Sequence, residues 1–472
     1  MLTSFVSATE GTIVATAMPT IVGALGDFEL FSWVFTAYLL TQGVTVPIYG
    51  RLCDFYGRKP VLYFGILFFV IGSILCGFAW NMVSLIVFRV VQGLGAGSLA
   101  TVSQTMVSDL YPPRERATVQ GYISSTFAAS ALIGPVLGAF IVAHWSWEWI
   151  FWVNVPLCIV TVVMLAVCFR ENIEYRRHQI DYLGSLWMAL ATFLLMYALT
   201  RAAALSLRTI LLLVFGAFVS FALLLLQETR AREPMMPLEI WRIRMVVMAN
   251  LSSATLGGAQ MALTAFLPTF IQGVLGAPPL LAGFALSAMS VAWPTGGFIA
   301  GQALTRMSYR RASSLGSCVL IVGMVMLAVM NPAYGVNWAI ASSFVAGLGM
   351  GLSNMGFFVG IQACVDWHQR GVVTSTFNYM RIIGQSVGAA VFGGIINAAM
   401  ADQIEGGGDI VSRMLDPSLR RSLSVEQLAP VMDALAGALH HVYIITALLA
   451  VLMLVWALCL PRGLSIHDHG KK

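Results

Sequence analysis

The chain has 472 residues, 58% of them hydrophobic and 10% charged, with 26 Lys plus Arg against 21 Asp plus Glu for a net charge of +5. Soluble domains carry about 25% charged residues as a polar skin, so this composition excludes a soluble enzyme, a disordered chain, a disulfide scaffold and a nucleic-acid module. A polytopic membrane protein remains, and the 44 glycines suit helices that approach closely in lipid.

A membrane helix needs about 20 mostly apolar residues. That ruler predicts an all-α fold of fourteen spans: 3–25, 31–50, 60–80, 82–108, 117–142, 149–169, 182–200, 209–226, 245–271, 279–305, 312–330, 336–363, 371–399 and 439–461. The spans 182–200 and 209–226 form a hairpin whose short loop carries Arg201 and Arg208. Read instead as one interfacial excursion, they reduce the count to twelve. No cleavable signal peptide is expected, because the first apolar run starts at Met1 with no basic flank and no small-residue cleavage site. That abrupt start also fits a native N-terminus a few residues longer. The 7 cysteines lie in or beside apolar runs without a CxxC or Cys/His cluster, and are expected to be reduced packing residues with no metal role.

Fourteen spans place both termini on one side of the membrane. With that side cytoplasmic, the inner loops and tail hold 19 of the 26 basic residues and the outer loops hold 5, while Arg89 and Arg381 fall inside spans. This bias sets the orientation by the positive-inside rule. The expected location is the plasma (inner) membrane, with both termini in the cytoplasm.

The two ends of the chain echo each other. Gly93-Leu94-Gly95-Ala96-Gly97 recurs as Gly347-Leu348-Gly349-Met350-Gly351, and Arg116-Ala117-Thr118-Val119 as Arg370-Gly371-Val372-Val373. Gly50 with the basic pair Arg58-Lys59 is matched by Gly301 with Arg310-Arg311. The chain therefore divides into a six-helix bundle at 1–169, an inserted hairpin with cytoplasmic linkers at 170–244, a second six-helix bundle at 245–461 and a tail at 462–472. Two similar six-helix halves are the build of a secondary transporter, with its site between them near the midplane. The external loop 400–438 is expected to be water-exposed and a plain connector, with a short amphipathic helix at 420–435 on the membrane face as the alternative.

Of the 21 acids only Glu10 lies inside an apolar span, roughly 13 Å along the helix from Met1 at about 1.5 Å per residue. An ionised carboxylate there is costly, so Glu10 is expected to hold a proton and release it when its pocket wets or a cation arrives. The alternative is a carboxylate that snorkels to the near interface. Arg89 and Arg381, the mid-span cations, must face the bundle interior or a water-filled cavity. Arg89 is expected either to lock helices through backbone carbonyls or to couple protonation to movement, and Arg381 to line the cavity.

Gly134-Pro135 with Gly138 puts small residues at i and i+4 around a helix kink, where another helix can come close. In the 50–60 loop Gly57 makes a tight turn, and Asp54, Arg58 and Asp109 are expected to form a cytoplasmic network that closes in one state only. The candidate cavity contacts are Tyr38, Gln42, Phe127, Trp293, Asn354, Phe357, Asn378, Tyr379 and Arg381, with Trp33 as a further wall; each alone is as well read as core or lipid-facing.

These residues together resemble the major facilitator superfamily, in its fourteen-span drug:proton antiporter branch, over nearly the whole chain. Gly50-x-Leu52-x-Asp54-x-x-Gly57-Arg58-Lys59 is similar to its signature between helices 2 and 3. Arg89 with Gln92-Gly93 resembles its helix 4 signature, and Gly134-Pro135 with Gly138 the helix 5 signature of exporters. Trp147 to Pro156 resembles the start of helix 6, and Glu10 to Pro19 the helix 1 signature. The chain departs from the pattern at Glu10, where Asp is more usual, and at Glu148, where Arg is more usual.

The resemblance implies a proton-coupled exporter of amphipathic, cationic drugs that rocks 1–169 against 245–461. Glu10 and Arg89 would serve proton coupling, Gly50, Asp54, Gly57, Arg58 and Asp109 a conformational latch, and Gly134, Pro135 and Gly138 the shape of helix 5. Its expected partners are the bilayer, small amphipathic substrates and protons, with no nucleic acid; the proton gradient replaces any cofactor or metal, and a monomer is expected. The alternative cargo is an amphipathic lipid or a secreted metabolite. A scaffold or receptor would not need the mid-span charges. A primary pump lacks its GxxxxGK[ST] loop, and a membrane enzyme lacks a metal cluster or a nucleophile–base motif.

Overall fold

In lipid each backbone N–H and C=O has to be satisfied within its own segment, so long apolar runs fold as helices. A computed structural model of the chain describes residues 1–110, 113–168, 182–200, 205–230, 238–365, 369–403, 411–412, 414–415 and 425–461. The helices of the first half are α1 (Leu2–Leu25), α2 (Phe31–Tyr56), α3 (Arg58–Gly77), α4 (Met82–Leu110), α5 (Pro113–His144), α6 (Trp149–Trp152), α7 (Asn154–Cys168), α8 (Tyr182–Thr200) and α9 (Leu207–Arg230). Those that follow are α10 (Arg244–Met261), α11 (Leu267–Thr269), α12 (Pro279–Ala303), α13 (Tyr309–Ala328), α14 (Gly335–Ala363), α15 (Arg370–Gln403) and α16 (Val425–Leu458). Two π-helical stretches, Ala262–Phe266 and Phe270–Val274, flank α11. They carry the α10 run past Pro268, whose missing N–H interrupts the regular ladder. Among the described residues ten stretches are long and apolar enough to cross a membrane, with shorter apolar helices at Ala129–His144 and Leu186–Leu199.

The contacts divide the chain into two units, Met1–Met235 with Val411–Pro417, and Met236–Ile410 with Ser418–Lys472. In the first unit α4 packs on α2 and α3, α1 on α5, and α7 on α1 and α3. The hairpin α8–α9 belongs to this unit and docks on α2, where Trp33 meets Tyr197 with ring centroids 6.0 Å apart. In the second unit α14 packs on α12 and α13, α10 on α15, and α16 on α13, α10 and α15.

The glycine triplets explain why these neighbours come so close. A Cβ at Gly93 would lie 2.7 Å from the Tyr38 carbonyl of α2, and one at Gly95 would enter the backbone of α3 around Gly65 and Phe69. In the second unit a Cβ at Gly347 would lie 2.5 Å from the Met289 carbonyl of α12, and one at Gly349 would strike Leu320 of α13. Alternate glycines thus serve two neighbouring helices at once.

The 400–438 segment departs from expectation. Val411, Ser412, Met414 and Leu415 are buried and group with the first unit. Val411, Met414 and Leu415 are three and four residues apart, which gives one helical turn an apolar face to hide. In the 420–435 range, where an amphipathic helix is the alternative to a plain connector, the described part, from Val425, is the first section of the 34-residue α16, with Val431, Ala434 and Leu435 buried.

Candidate functional site

Glu10 is fully buried in the middle of α1. Arg89, 1% exposed, reaches it from α4 and forms an ion pair through Nη1 to Glu10 Oε1. The second carboxylate oxygen, Oε2, accepts from the side-chain amide of Asn154. Asn154 opens α7 just after the break at Val153, and Pro156 is tolerated there because the first turn of a helix has unused N–H groups. The positive end of the α7 dipole adds to the hold on a carboxylate at that place.

Arg89 and Gln92 stand three residues apart and share one face of α4. Arg89 Nη1 also donates to Gln92 Oε1 at 2.6 Å, and Arg89 Nε donates to the Val34 carbonyl at 3.3 Å. The Gln92 amide is oriented from α3. The Ser73 hydroxyl donates to the Phe69 carbonyl at 2.8 Å, so it accepts from Gln92 Nε2 at 2.9 Å, which leaves Oε1 for the arginine. The guanidinium lies 4.1 Å from the Tyr38 ring centroid and 5.9 Å from that of Phe151, a cation–π arrangement in a dry site. The lone mid-span acid of the sequence is therefore neither isolated nor snorkelling; a counter-charge is built onto it. Nearby, Asn154 Oδ1, Thr9 Oγ1 and the Tyr38 hydroxyl are buried without a hydrogen-bond partner among the described residues.

Helix α5 comes against α1 beside this cluster. A Cβ on Gly134 would meet Thr12, and one on Gly138 would sit 2.7 Å from the Ile13 carbonyl. These glycines and Pro135, inside α5, thus set a contact within the first unit, one turn from Glu10.

Gly57, with φ of 85°, ends α2 in the left-handed region that glycine favours. Arg58 then donates from Nη1 to the Cys53 carbonyl at 3.3 Å, satisfying the last turn of α2. The surroundings of Gly50, in α2, and the side chains of Asp54, Asp109 and Phe127 lie outside what the structure describes. Among the other cavity candidates, Phe357 is wholly buried, with no polar atom to keep wet, and Tyr379 is buried too. Gln42 is buried in α2, and Trp293 of α12 presents its carbonyl to Gly351. Asn354, Asn378 and Arg381 are partly buried, and Asn354 Oδ1 has no partner among the described residues.

The sequence reading took Asn154, Gln92 and Phe151 only as letters of a motif and passed over Ser73. An amide in an otherwise apolar run is the signal that could have singled out Asn154, since such a group needs a partner in lipid.

The long apolar helices and the buried acid–arginine pair of the first unit fit a membrane protein, and the family and relatives that follow make it a transport protein. The model of the Major Facilitator Superfamily matches residues 1–389, and the chain belongs to that family. It is 31% identical to Multidrug resistance protein 3 of Bacillus subtilis, over 98% of this chain and 94% of that protein. It is also 31% identical to Multidrug transporter protein MdtP of the same organism, over 84% of this chain and 74% of that one. Among solved structures, a bacterial homologue of the human lysosomal transporter Spinster matches with a TM-score of 0.68 at 16% identity, over 97% of this chain and 94% of that one. A POT family peptide transporter matches with a TM-score of 0.66 at 14% identity, over 99% and 98%.

Proposed function

We propose that the protein is a proton-coupled exporter of amphipathic drugs, an antiporter working by alternating access across the plasma (inner) membrane. Fourteen spans, two six-helix repeats and cytoplasmic termini complete the reading. The repeat is supported by the order of helix packing, which is the same in each unit, and by the glycine triplets that serve matching neighbours. The drug cargo is supported by two relatives named for multidrug resistance and multidrug transport.

The observation that carries proton coupling is the carboxyl of Glu10, buried and shared between Arg89 and Asn154. As a carboxylate it holds both partners. Once protonated, it no longer pairs with Arg89, and its O–H needs an acceptor. Rotation of the Asn154 amide offers Oδ1, which has no other partner among the described residues. Proton binding therefore exchanges the links of α1 to α4 and α7, a local change that alternating access can use.

The test is proton movement in inside-out vesicles with an acid interior. Adding a drug substrate should release protons from vesicles holding the wild type and not from those holding Glu10→Gln. Equal release from both removes Glu10 from the mechanism. The second cargo reading, a secreted metabolite or lipid, is favoured by a relative from Aspergillus aculeatus described as an acurin A biosynthesis cluster transporter, 28% identical over 86% of this chain.

A further inference from the structure

The three mid-span charges are treated differently by the fold. Glu10 is neutralised by Arg89 and held by Asn154. Arg381 is the reverse case. It lies near the middle of the apolar stretch Arg370–Met400 of α15, partly exposed, with no ion pair and no hydrogen-bond acceptor for its guanidinium among the described residues. A largely buried cation without a counter-charge is costly in lipid and keeps its place where water or an anionic group reaches it.

The surroundings of Arg381 are polar in a way that lipid contact does not explain. Thr374, Asn378, Arg381 and Gln385 follow one another at steps of four, three and four residues, which puts them along one face of α15. All four are partly exposed. The stripe is tied at both ends to its neighbours in the second unit: Gln362 Nε2 of α14 donates to Thr374 Oγ1 at 3.1 Å, and Gln385 Nε2 donates to Gln260 Oε1 of α10 at 2.9 Å. A Cβ at Gly257 would strike the Arg381 carbonyl, so α10 and α15 run backbone to backbone here and the stripe is rigidly seated. The ends are satisfied, and the guanidinium between them is not.

We infer that Arg381 and the α15 stripe form the recognition site for an acidic group on an amphipathic substrate, a carboxylate or a phosphate. The planar guanidinium fork matches either group in two parallel hydrogen bonds, and Asn378 and Gln385, one turn to each side, add neutral polar contacts. This rests on the exporter reading and narrows its cargo to anionic or zwitterionic amphiphiles.

The test uses a matched pair, 11-(dansylamino)undecanoic acid and its methyl ester, which differ only in the acidic group. Binding to the whole protein in phosphatidylcholine nanodiscs is read as saturable energy transfer from the 12 tryptophans to dansyl. The wild type should bind the acid about tenfold or more tighter than the ester, the scale of one charge-assisted hydrogen-bonded pair. Arg381→Gln should erase that preference while leaving ester affinity in place, which also shows that the variant is folded. Arg381→Lys, a charge without the fork, should retain part of it. Added phosphatidylglycerol that displaces the acid in an Arg381-dependent way identifies lipid headgroups as ligands of the same site; its failure to do so leaves the substrate acid as the ligand. Equal binding of acid and ester by the wild type, no saturable binding of the acid, or an unchanged preference in Arg381→Gln overturns the inference. The exporter reading fails separately, by absence of Glu10-dependent proton release while the acid preference persists.

Discussion

Arg89→Met tests whether the Glu10 cluster is held by charge pairing or by packing alone. The substitution keeps the volume near that of an arginine stem but strips Glu10 Oε1 of its counter-charge. It also takes a second donor from the Val34 carbonyl, which keeps its bond within α2, and takes the arginine donor from Gln92 Oε1, leaving for that atom the Cys76 thiol at 3.9 Å. Glu10 is fully buried, so no water replaces the guanidinium. Breaking a buried pair from one side costs about 3–5 kcal/mol, because it strands the other charge. Glu10→Gln should cost a similar amount by stranding Arg89. Neutralising both groups strands neither, and such replacements are often near neutral. The double variant Glu10→Gln/Arg89→Met should therefore be more stable than either single variant, with a coupling of about 3 kcal/mol or more in the double-mutant cycle. Thermal unfolding of the purified proteins in one detergent, followed by tryptophan fluorescence, gives the order of stabilities. Single variants that melt with the wild type, or a double variant that loses the sum of the two single losses, would refute the reasoning.

Three further outcomes are expected. Asn154→Leu removes the donor to Glu10 Oε2, a charge-assisted bond worth about 1.5–3 kcal/mol, and should lower the melting temperature and abolish substrate-driven proton release at normal expression. Gly138→Ala places a methyl 2.7 Å from the Ile13 carbonyl and should cost about 1–3 kcal/mol by overpacking. Gly437→Ala in α16 meets nothing within 4 Å and should instead gain up to about 1 kcal/mol in helix propensity, so the two melting temperatures move in opposite directions. A short pulse of a bilayer-permeant maleimide, read by peptide mass spectrometry, should label the exposed Cys168 and Cys318 before the buried Cys53, Cys76 and Cys158; equal labelling of all five contradicts the packing of α2, α3 and α7.

Some of this was legible in the residues alone. A run of about 20 apolar residues has one way to satisfy its backbone in lipid, so most helices lie near their expected ranges, α16 excepted, which starts at Val425 rather than 439, and Gly57 ends α2 where the tight turn was placed. The mid-span charges were equally visible, because a charged side chain stands out in an apolar run. In the 400–438 segment a polar composition hides a small apolar face: Val411, Met414 and Leu415 are buried despite their polar neighbours.

What a charge does in the membrane depends on what stands opposite it, and that is a property of tertiary packing. Glu10 meets Arg89 across 79 residues and Asn154 across 144, and no periodicity links such distant positions. Gln92 became part of the site because Ser73, on another helix, fixes which end of its amide faces the arginine. In the sequence Arg89 and Arg381 are alike, two arginines in apolar helices. Packing supplies a carboxylate to the first and none to the second among the described residues. Sequence alone thus determined the membrane helices and where the charges lie along them. Only the folded chain decided which charge is paired within the protein and which has no partner among the described residues, because electrostatic pairing needs atoms within a few ångströms, and helix packing alone brings them there.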